Sequence, residues 1–588
     1  MLRDSLFRPV FVPILILPFF LSAGVLSGQQ TSADVPSITI RANTRLVVVD
    51  VVVTDKKGQP VTGLKAEDFT VEENGKKQKI AVFVPPGSNG SKPQPSPPGI
   101  LSNHPENVGP AGVATVLLLD AANSPFRDQA YARFQMLKYV LEQTQGGHSM
   151  AVFTLDDQVR VLQQFTSDPQ VLMTAIKNFK PQEQILTASP PVPESHGITS
   201  GLNRGGNGGL AIVTAVGSAQ VAVQQFADMQ VGYNLQRRTE ITIQAMKELS
   251  RILGGLPGRK NVVWLTASLP FDLIPEDRNM TDAELLADLP GQGRQRPVTL
   301  NAAGTYAEEA RQLHAQDIKD AESQLASADI AIYPVDLTGL MSGMEGSANQ
   351  GGSVFADTAI SDRFASTLSF QQASQGTMRE VAEQTGGKAY INQNEIKDGI
   401  ALAVSDEKAS YSIGYYPENK KWDGKFRNLR VKLAQGDTQV RYRKGYFAIE
   451  PAPTKKSNFE QDVASALQVD TPATQISFMA QAKSTDPGKV RVVFLVDAHT
   501  LSAEDSGGNR KMNVALYAAL YDSYGKNLGT RSIKVDRAFD AATYQQILDK
   551  GMMVPIDMDV PAGAKELRLA VLDNKTGFIG TVSGPLGQ

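Results

Sequence analysis

The 588-residue chain contains no cysteine. That removes disulfides, thiolate metal sites and cysteine nucleophiles together. Histidine is nearly as scarce: His104, His148, His196, His314 and His499 are scattered, with no helical-turn pair and no metal-ligand spacing. Neither charge sign dominates, the net charge being −3, and no basic stripe carries interleaved aromatics. Composition therefore offers no footprint for nucleic acid. Beyond the first 30 residues there is no apolar run long enough to cross a bilayer. There is no Gly-x-Ser-x-Gly elbow either. Gly254 to Lys260 is glycine-rich but lacks the Gly-Lys-Ser/Thr ending and follows a helix-like stretch, so it reads as a helix stop before a strand. With so few candidate groups, the chain is expected to be non-enzymatic. The alternatives are an envelope hydrolase whose Ser-His-Asp group is assembled from distant loops, and a purely structural subunit without metal.

What is present is ordinary globular protein, 41% hydrophobic and 20% charged, and long enough for several cores. Residues 1–30 have the layout of a secretory signal. Arg3 and Arg8 precede an apolar stretch from Val10 to Leu26, and the small residues Ser22-Ala23-Gly24 and Ser27-Gly28 come before polar Gln29-Gln30. The rival reading is a retained anchor, since the run is about 17 residues, the short limit for a span. A secreted, periplasmic or envelope location in a bacterium follows, with no membrane span once the signal is removed.

Residues 38–84 read as a small β (Ig-like) module, with a β-branched run through Val53 and the hairpin signal Asn74-Gly75. Residues 85–110 are rich in Pro, Gly, Ser and Asn and read as a linker. From 111 to 450 strands and helices alternate, which predicts a mostly parallel sheet with helices on both faces. Two Gly-rich insertions interrupt it, at Gly197–Gly209 and 341–376. A second linker covers 451–470, and the β patterning of 471–588 suits a β-sandwich. Tyr411, Tyr415, Tyr416, Tyr442 and Tyr446 are expected to pack on strands.

Several motifs together carry a family resemblance. They are Val53-Thr54-Asp55-Lys56-Lys57-Gly58, Leu64-Lys65-Ala66-Glu67-Asp68-Phe69, Leu118-Leu119-Asp120-Ala121-Ala122-Asn123-Ser124, Gly258-Arg259-Lys260-Asn261-Val262-Val263-Trp264, Ala382-Glu383-Gln384-Thr385-Gly386-Gly387, Gly414-Tyr415-Tyr416-Pro417 and Arg441-Tyr442-Arg443-Lys444-Gly445-Tyr446. In this order the chain resembles the von Willebrand factor A-related proteins of the Acidobacteria type. The resemblance implies a von Willebrand factor A-type, Rossmann-like central domain and no particular activity.

In the related adhesion domains an Asp-x-Ser-x-Ser loop, a threonine and a further aspartate hold a divalent cation, and Mg²⁺ suits such oxygen ligands. Here the resemblance maps a degenerate metal site to Asp120, Ser124, Thr266 and Ser268, with Ala122 where a serine is expected and Ala267 in the loop that lacks its aspartate. Mg²⁺ or another divalent ion is the implied cofactor, and Asn123 and Asp128 are candidate partner contacts. Thr239 and Thr242, candidates for the threonine, look embedded in a helix. The expected partner is a protein or an envelope surface at the carboxyl edge of the central sheet.

Overall fold

The computed structural model describes residues 46–87, 99–108, 114–142, 148–181, 233–270, 302–339, 374–393, 395–434, 438–448, 459–469 and 471–586, with short pieces at 96–97, 230 and 371–372. The signal segment 1–30, the loop Gly197–Gly209 and most of 341–376 lie outside the described residues. Among the described residues no helix is long and apolar enough to cross a membrane. The fold is mixed α/β with several sheets.

The run Val116-Leu117-Leu118-Leu119 is apolar on both pleat faces, as a strand covered by helices on both sides requires. It lies in β1 (Ala114–Asp120), the middle strand of five. With β2 (Met150–Leu155), β3 (Val159–Thr166), β4 (Lys260–Thr266) and β5 (Ile330–Asp336) it forms a sheet in the order β5-β4-β1-β2-β3. Every pairing is parallel except that of β3, an edge strand antiparallel to β2. Among the described residues six helices cover it: α1 (Phe126–Glu142), α2 (Pro169–Asn178), α3 (233–253), α4 (Ala302–Ser327), α5 (374–385) and α6 (Ile396–Ser405). Side chains alternate between the two faces, as strand geometry dictates. Val116, Leu118, Val262, Trp264 and Ile332 pack with Met246, Leu249, Leu325 and Val381 from α3, α4 and α5. Leu117, Leu119, Val263, Leu265 and Tyr333 pack with Met136, Leu172 and Ile400 from α1, α2 and α6.

The domain boundaries expected from sequence are redrawn by strand pairing. The amino-terminal β module is not confined to 38–84. Strand Val47–Asp55 lies between Ser410–Tyr415 and Thr438–Arg441, with Ile80–Val84 at the edge. A second sheet runs Gly445–Phe447, Phe426–Leu433, Phe69–Glu73, Lys76–Gln78. The two share a core containing Val49, Val51, Phe69, Val71, Tyr411, Tyr415 and Val431. The tyrosines Tyr411 and Tyr415 thus fill this core. Residues 410–448, assigned from sequence to the central domain, complete this module instead, and the α/β unit is an insertion within it. The turn at Asn74-Gly75 forms, with both residues at positive φ (47° and 80°), and the chain returns through Lys76–Gln78, while Ile80–Val84 pairs with Ser410–Tyr415 in the other sheet.

The stretches read as linkers, 85–110 and 451–470, also carry structure, the second as the helix Phe459–Gln468 packed on the carboxyl-terminal unit. Ile100–Ser102 joins the edge of a sheet with Phe478–Asp486, Lys489–Val496 and Met552–Asp559. Asn103 then fastens it: its Nδ2 donates to the Ala473 and Ile476 carbonyls (2.7 and 2.8 Å) and its Oδ1 accepts from Phe478 N (2.8 Å). A second antiparallel sheet, built on Asn509–Tyr521 and Glu566–Asp573, shares an apolar core with the first.

This carboxyl-terminal unit docks on the end of α3. Gly255 N donates to Thr474 Oγ1 at 2.9 Å, and a Cβ at Gly255 would lie 1.7 Å from the Thr474 carbonyl. Here glycine is required by close approach of two backbones. At the opposite junction, between the amino-terminal module and the α/β unit, Arg259 donates to Tyr333 OH (2.9 Å) and the Gly386 carbonyl (2.8 Å) and lies 3.9 Å from Asp50. Tyr333 OH donates to Asp406 Oδ2 at 2.6 Å. Burial first, and then the charge of Asp329, pushes the Asp50 carboxyl up to about 8, although Arg259 opposes. Nearby, Glu322 on α4 borders a cavity of about 20 Å³ with Met246, Val381, Phe426 and Phe447. Its Oε1 is enclosed, with no hydrogen-bond partner among the described residues. Burial, reinforced by Glu380 and opposed by Lys319, pushes it up to about 8.

Candidate functional site

In an open α/β sheet the crevice lies beyond the carboxyl ends of the strands, where strand order reverses. The chain leaves β1 to form β2 on one side, and β4 lies on the other, so the reversal falls between β1 and β4. Parallel register brings Asp120, Thr266 and Asp336, the last residues of β1, β4 and β5, to one edge. Asp120 shares the pleat face of Val116 and Leu118, and so points toward α3.

Asp120 is fully buried. Its Oδ1 accepts from Asn123 N, and its Oδ2 from Asn123 Nδ2 and Trp264 Nε1, all at 2.9 Å. Burial raises its pKa above the ordinary carboxylate value, while hydrogen bonds from Trp264, Asn123 and Thr266 oppose the rise. Arg238 on α3 is linked to this carboxylate through Asn123 and feels its charge. Its Nε donates to Asn123 Oδ1 at 2.9 Å and its Nη2 to Ser268 Oγ at 2.5 Å. Burial pulls the guanidinium down to about 10 and the charge of Asp120 opposes, so Arg238 stays charged at neutral pH.

One turn further along α3, Thr242 Oγ1 accepts from Asn123 Nδ2 at 3.0 Å and donates to the Arg238 carbonyl at 2.8 Å. The loop after β4 closes the group. Thr266 Oγ1 donates to the Ser268 carbonyl (2.8 Å), and Ser124 Oγ accepts from Ala267 N (3.0 Å). Gln129 Nε2 donates to the Ser124 carbonyl at 2.8 Å. The β5 end has its own knot: Asp336 Oδ1 accepts from Thr338 N and Oγ1 (2.9 and 2.6 Å), and Oδ2 from Gln375 Nε2 (3.0 Å).

The four residues expected to hold a metal, Asp120, Ser124, Thr266 and Ser268, therefore do converge, and Asn123 lies among them. Their donor chemistry does not fit a divalent ion. Asp120 is the carboxylate of the group, and both its oxygens already face N–H donors. Ser124 Oγ and Ser268 Oγ are engaged by Ala267 N and Arg238. An ion among these oxygens would also be repelled by the Arg238 guanidinium, which bonds Asn123 and Ser268 in the same group. Among the described residues no cluster of three or more His, Asp or Glu side chains could hold a metal ion. Ala122, where a serine is expected, is fully buried and packs in the apolar core under the sheet.

Asn123 is not available to touch a partner, because it is buried with its amide committed to Asp120, Thr242 and Arg238. Asp128 is half-buried, and burial raises its carboxyl above the ordinary value, with Arg127 opposing and Asp336 adding. The exposed residues of this loop are Pro125, Phe126 and Arg127, Phe126 being 52% exposed.

Thr242 lies at the site and Thr239 does not; the Thr239 hydroxyl donates to the Leu235 carbonyl. Sequence reasoning missed Arg238. Its signal was an arginine on the buried stripe of α3, in line with Thr242, Ala245, Leu249 and Ile252. The recorded ring partners of histidines are carboxylates: Glu407 for His148 (3.0 Å), Asp497 for His499 (2.9 Å) and Asp317 for His314 (3.9 Å). Among the described residues no recorded hydrogen bond joins a histidine ring to a serine.

No protein-family model matches the chain, and no curated protein sequence matches it. Among solved structures it is similar to an aerotolerance-related membrane protein from Bacteroides fragilis (11% identity, TM-score 0.22, covering 50% of this chain and 100% of that one). It is also similar to the conserved hypothetical protein BatB from Bacteroides thetaiotaomicron (12%, TM-score 0.21, covering 50% and 98%). A third is a von Willebrand factor type A protein from Catenulispora acidiphila (9%, TM-score 0.19, covering 91% and 74%). At that depth of superposition none lends a role to this chain.

Proposed function

We propose that this chain is an exported, non-enzymatic binding or scaffold protein of the von Willebrand factor A type, which engages a protein or envelope partner at the carboxyl edge of its central sheet. The observation that carries the reading is the state of the polar groups in the crevice. Asp120, Asn123, Ser124, Thr266 and Ser268 are spent on holding two loops and α3 in one arrangement. A catalytic site keeps a nucleophile and a base facing substrate, whereas a contact surface needs rigid loops with exposed anchors. Phe126 and Arg127 stand just outside the locked group, and aromatic and arginine side chains are common anchors at interfaces. Under this reading the carboxyl-terminal unit is a β-sandwich that serves as a spacer, joined rigidly through Thr474.

Capture from solubilised envelope fractions tests the proposal, using wild type, Phe126→Asp, Arg127→Glu and a distant control, Tyr524→Asp, on a side chain that is 94% exposed. The expected result is one set of captured proteins lost in both edge variants and kept in the control. Equal capture by all four proteins would remove the sheet edge as the contact surface.

A further inference from the structure

We infer that the cation of the sheet-edge crevice is Arg238 itself, so that the loops of this surface are organised without any divalent metal. The inference deepens the contact reading above and rests on the same site, but it concerns what holds the site together, not what the site touches.

Three observations converge on it. Asp120 is a buried carboxylate, which is costly unless paired or hydrogen-bonded. The positive charge linked to it through Asn123 comes from α3, and that guanidinium reaches both loops at once, Asn123 after β1 and Ser268 after β4. The positions that would widen the oxygen set are occupied by other chemistry: Ala122 is core, and Ala267 offers its backbone N–H to Ser124.

An arginine differs from a bound ion in ways that matter here. Its fork fixes direction through N–H donors, and it stays charged at any physiological pH. It also cannot be withdrawn by a chelator or by dilution outside the cell. Asn123 is the adaptor that makes the substitution work. Its amide donates to Asp120 and Thr242 while its oxygen accepts from Arg238, so one side chain converts a carboxylate site into a guanidinium site.

The test uses the full-length chain. Wild type, Asp120→Asn, Arg238→Lys and Arg238→Met are titrated calorimetrically with MgCl₂, MnCl₂ and CaCl₂, and melted with and without EDTA. The expected result for wild type is no saturable heat and a melting temperature indifferent to EDTA and to each ion. Arg238→Met is expected to melt about 5 °C or more below wild type, and Arg238→Lys to fall between them, since it keeps charge but loses the fork. Saturable, EDTA-reversible binding of an ion by wild type, abolished in Asp120→Asn, would overturn the inference. So would Arg238→Met melting together with wild type. Should Arg238→Met fail to fold, the wild-type titration and Arg238→Lys still decide. Partner capture is scored separately: loss of the contact reading leaves these cation results standing, and saturable metal binding leaves the capture results standing.

Discussion

Replacing Glu322 with glutamine isolates a single buried acid at the junction of the amino-terminal module and the α/β unit. The enclosed Oε1 faces the small cavity beside Met246 and Phe447, and the carboxyl titrates near 8 instead of its ordinary 4.5. A raised folded pKa means that the folded protein holds the proton more tightly than the unfolded chain. Stability is therefore fully present below the unfolded value of 4.5 and is lost progressively as pH rises toward 8. At 1.36 kcal/mol per unit, the gap between 4.5 and 8 is worth about 4 kcal/mol at pH 8 as an upper bound. Glu322 is half-buried as a residue, and the screening this allows trims the figure to about 2 kcal/mol. Glutamine is nearly isosteric with the neutral acid and carries no such debt. Urea unfolding followed from pH 5 to pH 8 should then give nearly equal stabilities at pH 5 and a variant more stable by about 2 kcal/mol at pH 8. Asp50, raised to about 8 in the same junction, remains in both proteins, so the difference between the curves belongs to Glu322. A difference that does not change with pH, or a wild type that is the more stable at pH 8, would refute the reasoning.

Two further substitutions test how the units are joined. Gly255→Ala places a Cβ 1.7 Å from the Thr474 carbonyl and must push the carboxyl-terminal unit off the end of α3; a loss of about 1–3 kcal/mol in urea unfolding is expected. Asn103→Ala removes three buried hydrogen bonds around Ile476 and should cost about 3 kcal/mol, seen as early exchange of the Phe478 amide while amides of β1 stay protected.

Some of this was legible in the sequence for physical reasons. A run apolar on both faces, ending in Asp120, identifies a central strand and the edge where it stops, because pleat alternation and helix cover leave few other solutions. Asn74-Gly75 announces its hairpin because only a few residues accept two positive φ angles. Strand partners were not legible. Val47–Val53 shows what faces a core, but nothing local says that Ser410–Tyr415 lies beside it. Asn103 was hidden for a similar reason: a polar residue in a proline-rich stretch looks solvated until three backbone groups are brought to it from 370 or more residues away. At the crevice, the Asp120 and Ser124 spacing pointed to oxygen ligands, whereas the positive charge of the group is Arg238, on α3 more than a hundred residues later. An arginine on an apolar stripe was the clue, and it is a clue only when one asks which negative group it answers.

Because the α/β unit is inserted between the halves of the amino-terminal module, the protein has a built-in order of assembly. Strand Val47–Asp55, all valine but for three residues, appears early in the chain, yet Ser412, which bonds Asp50, lies 362 residues later. Closing so long a loop at random is slow. Once the central sheet has formed, the entry at Ala114 and the exit after α6 are held together and the remaining search becomes short. Until then a bare valine-rich strand waits without a neighbour, the kind of segment that recruits copies of itself. An excised piece spanning 111–450 would inherit the mirror-image problem, carrying the closing strands with nothing to close. Residues 47–585, not the central unit, are thus the smallest span in which the described strands all find partners.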